Sequence, residues 1–127
     1  MNKIVDITEV EQDLNAYYWF DSFFSNSDCD KIVALGKTRK LESATVFSGS
    51  ASARKSKVGW IPYDKELDWI YSGITECVSK ANKGWLIDWD SYKEDLQFSQ
   101  YDSVGDHYNY HMDIGLGHYH RKISAIV

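Results

Sequence analysis

The stretch Leu96–Asp113, LQFSQYDSVGDHYNYHMD, constrains this chain more than any other. Two runs of strand-like composition flank Asp102-Ser103-Val104-Gly105-Asp106, a cluster of turn residues around a glycine. In the first run Leu96 and Phe98 alternate with Gln97, Ser99 and Tyr101, so one face is apolar and the other polar. A strand over 107–113 is expected for the second run, and it puts His111 and Asp113 on one face. An imidazole nitrogen and a carboxylate oxygen held that way form two corners of a metal site. Two histidines and one carboxylate, with positions left open, is the arrangement that holds Fe(II) for oxygen chemistry.

The rest of the chain reads as scaffold. Ile4–Val10 and Tyr17–Phe20 have the composition of short strands ahead of a helix. Ser25 is expected to cap that helix with Asp28 three residues on, Phe24 and Cys29 stapling its start and Cys29, Ile32 and Val33 facing inward. Leu41–Phe47 reads as a strand. Ser48–Ser56 is small, polar and basic, so a mobile surface loop is expected, with Arg54, Lys55 and Lys57 facing solvent or an anionic partner. Val58–Ile61 is a short strand closed by Pro62, the only proline.

Asp64 then caps the best helix of the sequence. Leu67, Ile70, Tyr71, Ile74, Cys77, Val78 and Ala81 follow the three-and-four spacing of one buried face, and Asn82-Lys83-Gly84 is expected to end it. Trp85–Trp89 reads as a further strand. The sum is a mixed α+β pattern in one domain, residues 1–127.

Composition narrows the partners. A net charge of -5 gives no general attraction to nucleic acid or to acidic membranes, so neither is expected as a partner. No apolar run approaches the length needed to cross a bilayer, and the first residues lack the apolar core of a signal peptide. Cys29 and Cys77 read as buried free thiols of a reducing compartment, which makes a cytoplasmic protein the expectation.

The elements around His111 and Asp113 resemble the prolyl 4-hydroxylase-like branch of the 2-oxoglutarate/Fe(II) dioxygenases. Leu96, Gln97 and Tyr101, then Gly105, then Tyr108, His111 and Asp113, then Arg121, Lys122 and Ser124 stand in that family's order. The resemblance extends, more thinly, to Arg54–Trp60 and to the Phe23–Cys29 approach to the first helix.

The resemblance implies an incomplete double-stranded β-helix (jelly-roll) buttressed by amino-terminal helices. It implies His111 and Asp113 as ligands of Fe(II), and Tyr101 as a hydrogen-bond donor to 2-oxoglutarate. Tyr108 and Ile126 are implied to line the pocket, ascorbate is a candidate reductant, and a prolyl or similar residue of a peptide or protein is the implied substrate.

The family's third ligand, a histidine, and the basic residue that pairs with the co-substrate lie on strands beyond the counterpart of Val127, so the chain reads as the front part of such a domain. Two other readings stand beside this one. His111, Asp113, His118 and His120 together are a candidate zinc set. A non-catalytic β-domain is the third, pairing with a partner through the strand edge expected at 121–127.

Overall fold

The computed structural model describes residues 16–44 and 53–127. The expected strand at Ile4–Val10 and the end of the one at Leu41–Phe47 lie outside these residues. The order of elements is α1 (Asn26–Lys37), β1 (Glu42–Ser43), β2 (Arg54–Lys55), β3 (Lys57–Ile61), a 3-10 turn (Lys65–Leu67), α2 (Asp68–Trp85), β4 (Leu96–Gln100) and β5 (His107–Tyr108). The fold is α+β.

β1, β3 and β4 form one antiparallel sheet in the order β1-β3-β4, and β2 pairs antiparallel with β5. The two strand-like runs of Leu96–Asp113 therefore do not pair with each other across their turn. β4 and β5 each pair with the continuous β2–β3 run instead. Lys57 pairs with Gln100 and Lys55 with His107, so residues 101–106 are looped out of the ladder. The loop is organised by Asp106, whose carboxylate accepts from the amides of Asp102 (3.1 Å) and Ser103 (3.0 Å). Those amide donors hold its carboxyl below the usual carboxylate range. Gly105 sits at φ +90, where a side chain would be strained.

Alternation along β4 sorts the two faces as expected. Leu96 and Phe98 are half-buried while Gln97 and Ser99 are exposed. The Phe98 ring lies where a Cβ on Gly36 would come within 2.2 Å, so α1 meets the sheet through its glycine. That contact corrects the inner stripe of α1. Ile32, Leu35 and Gly36 face the protein, whereas Cys29 and Val33 are exposed, because the helix docks through its carboxy-terminal half. Cys29 and Cys77 are both free thiols, Cys77 half-buried. The cap at Ser25 is as expected, with Asp28 donating its amide to Ser25 Oγ and its carboxylate accepting from the Ser25 amide.

α2 carries the core. Ile70, Tyr71, Ile74 and Ala81 of the expected face are buried, joined by Ile61 of β3. Tyr71 ties helix to sheet: its hydroxyl donates to the Ile61 carbonyl (2.7 Å) and accepts from the Leu96 amide (3.3 Å). Asp64 caps the 3-10 turn ahead of α2 by accepting from the Glu66 amide at 2.9 Å.

The helix continues past Gly84 to Trp85 and stops at Leu86, which takes a left-handed conformation, φ 56. Asn82 closes the end by pairing its side-chain amide with both the N–H and the carbonyl of Ile87 at 2.8 Å. The expected strand at Trp85–Trp89 is absent because Trp85 belongs to the helix and packs edge-on against Tyr18 at 5.2 Å. Tyr17–Phe20 likewise forms no strand. Among the described residues no helix is long and apolar enough to cross a membrane.

Candidate functional site

Arg54 starts the site. Of the loop expected at Ser48–Ser56, residues 48–52 lie outside the described residues, and Arg54 is 9% exposed, in β2 opposite Tyr108. Its Nε donates to Ser56 Oγ (2.8 Å), and its Nη2 lies within reach of Gln97 Oε1 (3.2 Å) and Ser99 Oγ (3.3 Å). The polar face of β4, left free by alternation, is thus spent on one guanidinium. The same guanidinium lies 4.3 Å from the centre of the Tyr108 ring, and the Tyr108 ring stacks on His111 at 3.6 Å and 15°. Arg54, Tyr108 and His111 form one continuous stack.

That stack overrules the strand expected across 107–113. Residues three apart on a strand face opposite ways, so Tyr108 and His111 can stack only because the chain turns after β5. The last ladder-like bond runs from the Asn109 amide to the Ala53 carbonyl at 2.9 Å. Beyond it the Asn109 carbonyl lies 2.8 Å from His111 Nδ1. A carbonyl only accepts, so Nδ1 carries the proton in that contact. The other ring nitrogen, Nε2, lies 3.2 Å from Asp113 Oδ1. Ser124 Oγ donates to the other Asp113 oxygen, and Arg121 Nη1 reaches the Asp113 carbonyl at 3.5 Å. His111 and Asp113 converge as expected, by a bend and by contacts from residues 121–124 rather than by strand parity.

The geometry suits a cation. With bonds of roughly 2.1 Å, neighbouring ligand atoms stand about 3.0 Å apart in octahedral and about 3.4 Å apart in tetrahedral coordination. The 3.2 Å separation falls between them. A hydrogen bond at Nδ1 is the kind of contact that orients an imidazole when its other nitrogen binds a metal.

The other expected site residues are scattered. Tyr101, just past β4, is 47% exposed and has no hydrogen bond or ring contact among the described residues. Ile126 is 97% exposed. Residues 121–127 contain no strand, so the expected pairing edge is missing there. His118 and His120 do not join His111 and Asp113. Among the described residues the one group of three that gathers its ligand atoms is Glu94, His118 and His120, within 4.8 Å of one another.

Glu94 is the residue that sequence reasoning missed. Arg121 donates from Nε and Nη2 to both Glu94 oxygens, and His120 Nε2 lies 3.1 Å from Oε2. Arg121 had to find a carboxylate, but nothing local marks which of 19 acidic residues that would be. The Arg121 hydrogen bonds, aided by His120, hold the Glu94 carboxyl down at about 2 against an ordinary 4.5.

A depressed carboxylate stabilises the fold above its unfolded value and loses that contribution as pH falls towards its folded value. The window is therefore about pH 4.5 down to about 2. For a pair about one-third exposed the contribution is on the order of 1 kcal/mol. Urea midpoints of wild type and Glu94→Gln should differ above pH 5 and converge below pH 2. A constant difference across that range would assign the stabilisation to something other than this carboxylate.

Comparison with protein-family models, with curated proteins and with solved structures finds no match for this chain.

Proposed function

We propose that this chain carries part of an Fe(II) centre for 2-oxoglutarate-dependent hydroxylation of a prolyl or similar residue in a peptide or protein, on a partial double-stranded β-helix. The observation that carries the reading is the convergence of His111 Nε2 and Asp113 Oδ1 at 3.2 Å with the opposite imidazole nitrogen committed to the Asn109 carbonyl. The order of elements from Leu96 to Ser124 supports the choice of metal and co-substrate. Bound there, Fe(II) with 2-oxoglutarate supplies the oxygen-activating chemistry.

The residues of this chain supply position. Asn109 fixes the tautomer of His111, Tyr108 fixes the plane of its ring, and Arg54 fixes Tyr108. Ser124 restrains the Asp113 oxygen that does not face His111. Two protein ligands leave most of the shell to water and co-substrate, so weak metal retention is expected of residues 1–127 by themselves.

The test is succinate release with Fe(II), 2-oxoglutarate, ascorbate and prolyl peptides. It compares this chain with its His111→Ala variant. Turnover that His111→Ala reduces at least 100-fold supports the reading. Turnover indifferent to His111, or no turnover, replaces it with a non-catalytic binding domain.

A further inference from the structure

We propose that Glu94, His118 and His120 form a second site for a divalent transition metal, of the zinc type, separate from His111 and Asp113. It does not depend on the hydroxylase reading. One carboxylate and two imidazoles with a position left for water is a zinc ligand set, and each residue here has a ligand atom within 4.8 Å of the other two.

Four observations carry it. First, His120 Nε2 and Glu94 Oε2 stand 3.1 Å apart, close to the roughly 3.4 Å between two tetrahedral ligands with bonds near 2.1 Å. Small movements therefore admit the ion.

Second, His118 Nδ1 is shielded from water and has no hydrogen-bond partner among the described residues. A shielded ring nitrogen without a partner is costly unless something outside the protein's own groups meets it.

Third, the loop is preorganised. The His118 amide bonds the Gly115 carbonyl (2.8 Å), the Arg121 amide the His118 carbonyl (3.2 Å), and the Lys122 amide the His120 carbonyl (2.9 Å). The two rings are held with centroids 5.9 Å apart and planes at 68°, so they do not stack on each other. Stacked rings would point their nitrogens in parallel, whereas steeply inclined ones can aim at a common point.

Fourth, Arg121 grips both oxygens of Glu94, as an outer contact that orients a ligating carboxylate and keeps it ionised. The guanidinium also sets a limit. Its positive charge beside the ion weakens binding, so Glu94 with a single imidazole is not enough and both histidines are needed.

Arg121 connects the two sites, since it also approaches the Asp113 carbonyl. Their ligand sets share no side chain, which makes them separable by mutation.

Zn(II) alone, titrated calorimetrically into the 127-residue chain, gives the answer. One site is expected, weakened at least 10-fold by Glu94→Gln and by His118→Ala/His120→Ala, and changed less than 3-fold by His111→Ala. Co(II) loaded in its place should show the intense visible bands of tetrahedral coordination, lost in the same variants. Thermal unfolding checks that each variant is folded. If Glu94→Gln is not, His118→Ala alone decides, a fall of 10-fold or more supporting the site and an unchanged affinity overturning it. Zn(II) binding that survives the double histidine change, or that disappears only with His111→Ala, also overturns it. Loss of succinate release on His111→Ala with this Zn(II) affinity intact would separate the two proposals.

Discussion

Ile70→Ala should lower the unfolding free energy by about 2–5 kcal/mol, the cost of deleting a fully buried aliphatic side chain and leaving a cavity. Ile70 is 2% exposed, the most completely enclosed large side chain among the described residues. The other buried apolar residues there are Ile61, Tyr71, Ile74 and Ala81, so the core is small and its members lie on α2 and β3. A domain of this size has about 5–15 kcal/mol of stability in all, and a change of this kind removes a large part of it.

Ile70→Val keeps most of the volume and should cost only about 0.5–1.5 kcal/mol. Val33→Ala, on the exposed side of α1, should stay within about 0.5 kcal/mol. Urea midpoints at constant m-value measure all three. A loss under about 1 kcal/mol for Ile70→Ala would mean that α2 does not hold the core as described.

Arg54→Ala is expected to damage both the fold and the site. The guanidinium reaches three side-chain oxygens, on Ser56, Gln97 and Ser99, and covers the Tyr108 ring. Hydrogen bonds from a charged donor contribute about 1.5–3 kcal/mol each and the ring contact on the order of 1 kcal/mol, but they share one side chain and do not add. A net loss of about 2–4 kcal/mol is expected. Tyr108 then loses the group that fixes it, and His111 loses the ring that fixes it in turn. On the proposed Fe(II) reading, Fe(II) or Mn(II) affinity at His111 and Asp113 should fall about 10-fold, as when an outer contact of a metal ligand is removed.

Arg54→Lys keeps the charge but not the planar fork, so it should rescue little of either effect. Lys55→Ala is the control, since its 3.3 Å pair with Asp106 is formed by an exposed ammonium and should cost under about 1 kcal/mol. If Arg54→Ala shifted neither the urea midpoint nor the metal titration, the stack would have no part in positioning His111.

Local patterns in the sequence determined where α1 begins and which faces of α2 and β4 turn inward. The three-and-four spacing from Leu67 to Ala81 picks out the buried side of α2, and Ser25 with Asp28 sets the start of α1, because periodicity and capping act within a few residues. The alternation of Leu96–Ser99 correctly divides β4 into apolar and polar faces. The spacing of His111 and Asp113 marked them as a pair, but the strand parity through which it reads is not what brings them together.

What covers those faces was decided only in three dimensions. Arg54, within a serine-rich basic stretch, is buried because it finds Gln97 and Ser99 more than 40 residues away and an aromatic ring to lie on. The turn after β5, which lets Tyr108 and His111 stack, is something a strand period cannot express. Glu94 joins His118 and His120 through Arg121, across a separation of 27 residues between the two charged partners. Charge pairs of this kind depend on the path of the chain between them, and composition is blind to it.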